Sequence, residues 1–340
     1  MPSTPARLRV VTYNILLGGQ GRGDRIAAVL DRVDADVIAL QEANDVDLVR
    51  SLAQRLGMRM VVAKPNDASK LNLAVLSRLP VTGWRAHRHP GRMLRAHLVC
   101  EVAVNAPGLS RLRIHNVHLA ARFGEKNKGE ARRLHELEAI LGDIERSGPT
   151  PHLVLGDFNS LAPGEMVAAT SFFTRMAELR RRGLLVRGLD GLIVPLEAHG
   201  DDPELAEAWR EAGVEPHLHV GVPKLPWVVG PLTGAIPRSA ALDRVLNRFI
   251  ERWTVPRMIE AGYTDCFRAV HRGGEGYTCA TWQPAARIDY VWADAHLASR
   301  VAACEVVGGN GRSDPDVAAA SDHFPVLAEF ALFTSPDSSC

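Results

Sequence analysis

The sequence lacks the features that would assign it at once to a membrane, a disulfide scaffold or a zinc ribbon. No run of about 18 apolar residues occurs, so no membrane-crossing helix is expected. The opening stretch MPSTPARLRVV has no apolar core of the kind a signal peptide needs, and a cytoplasmic location is expected. Five cysteines (Cys100, Cys266, Cys279, Cys304 and Cys340) form no CxxC pair and leave one over. Neither a metal ribbon nor a disulfide framework is indicated, and free thiols are expected. A net charge of +1 gives no global basic field for a polyanion and leaves that task to local basic grooves.

What is present suits one large α/β domain: 340 residues, 46% of them hydrophobic. Residues 8–13 are rich in β-formers and end at Asn14. A glycine-rich loop follows, then a helical stripe of Ile26, Val29, Leu30 and Val33 with Asp24 as its expected N-cap. Residues 37–40 form a short buried strand that ends at Gln41 and Glu42. Strand, loop, helix, strand is an α/β pattern, but not the dinucleotide-binding one. Gly19, Gly21 and Gly23 alternate, whereas that turn needs its third glycine one place later for helix packing.

Val46, Val49, Leu52 and Leu56 predict a second helix, and residues 58–62 and 73–76 read as strands. Leu94, Ala96, Leu98, Cys100, Val102 and Val104 alternate with mostly polar residues, which predicts a long half-buried strand and antiparallel pairing across a turn at 105–110. On its expected partner, Leu112, Ile114, Asn116 and His118 share one face. Such a strand leaves the core and reaches a site; a hydrogen-bonded core histidine would show the same pattern. Residues 130–146 are the clearest helix, with Leu134, Leu137, Leu141 and Ile144 on its stripe. His135 and Glu136 begin an HExxH pattern that fails at Ala139.

The stretch LVLGDFNS (153–160) ends a buried strand in Asp157 and Asn159, two apart and pointing the same way. An acid beside an amide can hold a water, a metal or a phosphate oxygen, although an ordinary turn also uses Asp and Asn to cap backbone amides. In RIDYVW (287–292), Asp289 stands alone among apolar neighbours, where a buried carboxylate needs a partner or a function. Asp322 and His323 precede a last strand at 324–330.

The motifs TYNI, LQE, VHL, GDFNS, RIDY and SDHFPV occur in that order. On them the chain resembles the endonuclease/exonuclease/phosphatase superfamily, also called DNase I-like, over residues 8–165 and 256–331. The resemblance implies a four-layer α/β sandwich, with two mainly antiparallel β-sheets packed face to face and flanked by helices. One catalytic domain is expected over residues 1–333, with a flexible tail at 334–340. The resemblance also implies hydrolysis of phosphodiester bonds by in-line water attack, supported by Mg²⁺ or Mn²⁺. Several carboxylates and amides without thiolates suit such a hard cation. Carried over by motif, Glu42 is the principal metal ligand, helped by Asn14 and Asp322. Asp157 orients or deprotonates the water, and Asn159 aligns it or holds a phosphate oxygen. His323, paired with Asp289, stabilises charge on the phosphorus oxygens, and His118 contacts the phosphate or protonates the leaving oxygen. Either Asp157 or His323 can serve as the base.

Residues 166–255 depart from the family pattern and read as an insertion. Phe172, Phe173, Met176 and Leu179 predict a helix that runs into Arg180, Arg181, Arg182 and Arg187. A proline-interrupted apolar stretch follows at 216–237, containing His217, His219 and Trp227; it is either a substrate-selecting lid or a subdomain buried on the core. Leu242, Val245, Leu246, Phe249 and Trp253 close the segment as an amphipathic helix. Arg85, Arg88, Arg92 and Arg95 form the best basic strip for a polyanion, so DNA or RNA is the first expected substrate. The branch of the family acting on abasic DNA usually carries a lysine two places after the LQE glutamate; here that residue is Asn44. A lipid head group or a small-molecule phosphate ester is the second reading, and a binding protein on the same frame the third. No obligate protein partner is indicated.

Overall fold

The computed structural model of the chain describes residues 7–19, 21–64, 71–121, 128–183, 185–187, 193–195, 237–309 and 314–332. Strands β1 (Arg7–Asn14), β2 (Val37–Gln41), β3 (Arg59–Ala63) and β4 (Leu73–Ser77) open the first sheet. Strands β5 (Val81–His87), β6 (His97–Ala106), β7 (Leu109–His118) and β8 (His152–Asp157) open the second. Strands β9 (Leu185–Arg187) and β10 (Ile193–Pro195) pair with each other. The chain then returns to the second sheet with β11 (Thr264–Asp265) and β12 (Asp289–Ala293), and to the first with β13 (Val301–Val306) and β14 (Val326–Ala331). The strand orders are β13-β14-β1-β2-β4-β3 and β11-β12-β8-β7-β6-β5. Among the described residues, only β1 with β2 and β7 with β8 run parallel; the other pairs are antiparallel.

The period-2 alternation of the strands assigns their faces. Leu112, Ile114, Leu153 and Leu155 of the second sheet join the core shared with the first sheet. Val117, Val154, Tyr290 and Trp292 point to the other face, where they pack with Leu137 and Ile140 of a covering helix. Helices α1 (Gly23–Val33) and α2 (Val46–Arg55) follow β1 and β2, and α3 (Gly129–Arg146) lies between β7 and β8 in sequence. The remaining helices are α4 (Ala169–Arg181), α5 (Ala240–Asn247), α6 (Thr254–Glu260), α7 (Cys266–Val270), α8 (Ala295–Ala298) and α9 (Pro315–Ala320). Among the described residues, none is long and apolar enough to cross a membrane, and Cys100, Cys266, Cys279 and Cys304 are free thiols.

Some local expectations change. Asp24 is not the cap of α1: the helix starts at Gly23, and Asp24 sits in the first turn, where its charge complements the positive helix end. The turn at 105–110 is tighter than expected, because Ala106 pairs with Leu109 and only Pro107 and Gly108 remain between the strands. The buried stripe of α3 is rotated from the leucine stripe and runs through Glu130, Arg133, Glu136, Leu137, Ile140 and Asp143. Its charges are tolerated because each is bonded: Glu130 to Arg133 at 2.7 Å and to Ser160, Glu136 to the amides of Leu94 and Ala120, Asp143 to Arg146. His217, His219, Trp227 and the tail at 334–340 lie outside the described residues, as does the side chain of Arg180.

Candidate active site

Strand direction explains why distant polar residues meet. β1, β2, β7 and β8 end at one edge of the sandwich, carrying Asn14, Gln41 with Glu42 after it, His118 and Asp157. Their antiparallel neighbours begin there: Asp289 opens β12 directly opposite Asp157, and Asp322 and His323 precede β14. Gly156 makes the last step, since a side chain there would overlap the carbonyl oxygen of Val117 and push β8 from β7. Glu42 (φ 56°) and Asn159 (φ 49°) sit in the left-handed region just past their strands, which turns both side chains toward the edge.

The Asn14 amide donates to Glu42 Oε1 at 3.3 Å and to Asp157 Oδ2 at 3.2 Å, tying the two sheets together. Glu42 Oε2 accepts from the Leu17 amide at 2.7 Å. Asp157 Oδ1 accepts from the Asn159 amide at 2.8 Å, and the Asn159 side chain donates to Leu119 O at 3.1 Å. His118 Nε2 lies 3.4 Å from Asp157 Oδ2, and His323 Nε2 lies 4.0 Å from the same oxygen. On its other side, His323 Nδ1 bonds Asp289 Oδ2 at 2.8 Å. Asp322 is half-buried beside them.

Burial divides the charges. It favours the neutral form of His323, but the carboxylates of Asp289 and Asp322 and the nearby Cys279 sulfur outweigh it and hold the imidazole protonated well above its ordinary pKa. Burial and then the Arg95 and His323 cations push His118 well below its ordinary value, so that ring is neutral. Burial followed by the facing Asp289 carboxylate raises Asp157, against the pull of His323. Burial also raises Asp322, tempered by His323 and reinforced by Glu42.

The sequence model of the endonuclease/exonuclease/phosphatase family matches residues 11–323. The chain belongs to that family. Solved structures with the same DNase I-like four-layer architecture include a 3′ phosphatase from Neisseria bound to a product DNA hairpin (TM-score 0.52, 17% identity, 95% of this chain and 99% of that one). An AP endonuclease from Archaeoglobus fulgidus is similar at TM-score 0.55 and 14% identity, over 95% and 99% of the two chains. An endonuclease/exonuclease/phosphatase from Beutenbergia cavernae is similar at TM-score 0.56 and 19% identity, over 98% and 74%. No curated protein matches the sequence.

Against this family frame, Asn14, Glu42, His118, Asp157, Asn159, Asp289, Asp322 and His323 gather at one edge, and the four arginines part company. Arg95 is 7% exposed and donates to Leu119 O at 2.7 Å, with Glu136, Glu42 and Asp157 among the acids acting on it. It is a buried cation beside the site rather than part of a surface strip. Arg85, Arg88 and Arg92 are exposed on the β5 side of the second sheet, Arg92 bonding His135 O at 3.4 Å. Asn116 is not at the edge: it spans the sheets, donating to Leu40 O and Ala74 O and accepting from Gln41. Three supports went unread in the sequence. Buried Arg22 donates to Leu16 O and Ala320 O, Ser321 Oγ donates to Asn14 O at 2.7 Å, and Thr278 Oγ1 receives the amides of Ile288 and Asp289. Ser321 entered only as the first residue of SDHFPV, and Arg22 in its glycine loop carried no periodic signal.

The donor set fits a hard divalent cation. Four carboxylates crowd one edge, two of them held above their usual range, and Asp289 Oδ1 is buried with no hydrogen-bond partner. Atoms of Asp157, Asp289 and His323 lie within 4.8 Å of one another. His323 Nδ1 is already bonded to Asp289 Oδ2, and Glu42 and Asn14 stand on the first-sheet side of the edge.

Proposed function

We propose that the protein hydrolyses phosphate diesters, with nucleic acid as the substrate class. The observation that carries this is the joining of Glu42 to Asp157 through the Asn14 amide, which sets a cation ligand from one sheet beside an acid–base group from the other. Glu42, helped by Asn14 and Asp322, would hold Mg²⁺ or Mn²⁺, which supplies Lewis-acid stabilisation of the phosphoryl oxygens when bound. Asp157, oriented by the Asn159 amide, holds the attacking water and takes its proton; its raised pKa makes it a stronger base than an ordinary aspartate. Protonated His323, held by Asp289, donates to a non-bridging oxygen, where charge builds. Neutral His118 and Asn159 position the phosphate, and Arg95 adds positive potential from behind. The exposed arginines Arg85, Arg88 and Arg92 favour a polymeric anion over a lipid head group.

The test is hydrolysis of an activated phosphodiester and of DNA, with Mg²⁺, with Mn²⁺ and with EDTA. Both substrates are expected to be cleaved only with metal, and Glu42→Gln and Asp157→Asn are each expected to reduce turnover by about a thousandfold or more with folding intact. Near-normal activity in either variant would overturn the site. Cleavage of the small diester alone would overturn the nucleic-acid assignment.

A further inference from the structure

One peptide unit lies between the active edge and the buried charges behind it. Strand β7 ends at His118, and two residues on, a peptide joins Leu119 to Ala120. Its carbonyl, Leu119 O, accepts from Arg95 Nη1 at 2.7 Å, and its N–H, that of Ala120, donates to Glu136 Oε2 at 2.7 Å. A cation thus grips one edge of the peptide plane and an anion the other. The same carbonyl also accepts from Asn159 Nδ2 at 3.1 Å, so both of its lone pairs are used. A carbonyl oxygen can only accept, which fixes the Asn159 amide with its NH₂ toward Leu119.

The flanking groups are bonded as well. Leu119 N donates to Asp157 O at 2.9 Å, Arg95 Nη1 also reaches His118 O at 3.4 Å, and Arg133 holds Ala120 O at 3.1 Å. Glu136 Oε1 takes the Leu94 amide at 3.1 Å, which anchors the backbone beside Arg95 itself. Arg95 and Glu136 are both buried, and burying charge is costly where an apolar side chain would fill the same space. Apolar filling has no direction, whereas charge-assisted hydrogen bonds hold a peptide plane at one angle.

We propose that Arg95 and Glu136 are positioning residues: by clamping the Leu119–Ala120 peptide, they hold Asn159 at the angle it needs beside Asp157. The inference rests on the hydrolytic role proposed for the edge and adds two residues that act on it from behind. Both send their bonds into backbone, so they reach the reaction through Asn159. Without the clamp the peptide turns and Asn159 follows its acceptor, and misplacing such a group by about 1 Å costs about a hundredfold in turnover. This contribution is distinct from the positive potential of Arg95, which acts on the whole site and does not run through Asn159.

The test is a double-mutant cycle on hydrolysis of the small activated phosphodiester by the full chain with Mg²⁺. Asn159→Ala and Arg95→Ala are each expected to lower kcat by about tenfold to a hundredfold with KM nearly unchanged. Arg95→Ala made in the Asn159→Ala background is expected to lower kcat by less than about threefold, because the group it positions is already gone. A loss of folded protein or of electrostatic potential would instead multiply the Asn159→Ala loss in full, and that result would overturn the inference. Glu136→Gln is nearly the same size but offers one acceptor oxygen where Glu136 offers two. It is expected to show a smaller loss with the same coupling, and it takes the place of Arg95→Ala should that variant fold poorly. Full activity in either variant would also overturn the clamp. Full activity of Asn159→Ala, or no metal-dependent hydrolysis by the wild type, would overturn the hydrolytic reading itself.

Discussion

The helices that cover the two sheets bury opposite chemistry. Helix α1 sets Ile26, Ala27, Val29, Leu30 and Val33 against the core of the first sheet, while α3 buries Glu130, Arg133, Glu136 and Asp143 beside Leu137 and Ile140. Apolar area positions α1 loosely along a surface; charged groups in α3 must find specific partners or incur a large desolvation cost. Some of those partners lie in α3 itself, Arg133 for Glu130 and Arg146 for Asp143, and others lie in loops. Glu130 binds Ser160 Oγ and the Trp253 and Thr254 amides, and Glu136 binds the amides of Leu94 and Ala120, the neighbours of Arg95 and Leu119. The second sheet, which carries Asp157, His118 and Asp289, thus has its surroundings fixed by directional bonds.

The largest effect that sharpens this contrast is at the titrating groups of the second sheet. Asp289 raises the pKa of both His323 and Asp157. Hydrolysis that needs Asp157 ionised and His323 protonated has an acid limb from the first and an alkaline limb from the second. Asp289→Asn removes the negative charge from both, so both pKa values fall and the whole kcat/KM profile moves to lower pH, with turnover reduced by about 10² to 10⁴. A profile reduced in height but unmoved would show that Asp289 does not govern these groups.

A smaller effect compares the helices by stability. Arg133→Ala leaves Glu130 without its cation and is expected to cost about 3–5 kcal/mol, against about 2–5 kcal/mol for Leu30→Ala in α1. Their pH dependences separate them. Burial disfavours the Glu130 anion, but Arg133 and the bonds from Thr254 and Ser160 prevail and hold its pKa below the ordinary value. Its stabilisation is therefore present above the ordinary carboxylate range and is lost as pH falls through the folded-state value. The penalty of Arg133→Ala is expected to shrink in acid while that of Leu30→Ala stays level, as read by urea unfolding at several pH values. Parallel curves would put the two helices on the same footing.

The smallest effect lies at the surface. Arg85→Ala with Arg88→Ala is expected to raise KM for DNA several-fold at low salt and to lower the salt slope by about one per lost phosphate contact, leaving the small diester unaffected. A change for both substrates would mean that the arginines act on the site rather than on the polymer.

These differences mark what the chain reveals by itself. Asn14, Glu42 and Asp157 were legible because a strand of apolar residues that ends in a polar one has few other uses, Asp289 and Asp322 because they stand at or just before the start of such strands, and six motifs in family order reinforce one another. The face of α3 was misread because the leucine stripe looks more buried than a row of charges; Leu134 and Leu141 are only half-buried. Arg95 reads as one arginine among four, and only its bonds to the carbonyls of His118 and Leu119 at the end of β7 distinguish it.

The last strand, β14, is not at the margin of its sheet but between β13 and β1. A chain emerging from the ribosome therefore holds β1 with one side unpaired until β14 has been made, and Asp322 and His323 arrive with the strand that covers it. Such long-range closure slows folding and leaves a sticky edge exposed meanwhile. It also means that a chain terminated before residue 321 lacks His323, one of the two imidazoles gathered at the edge, and the strand that completes its first sheet.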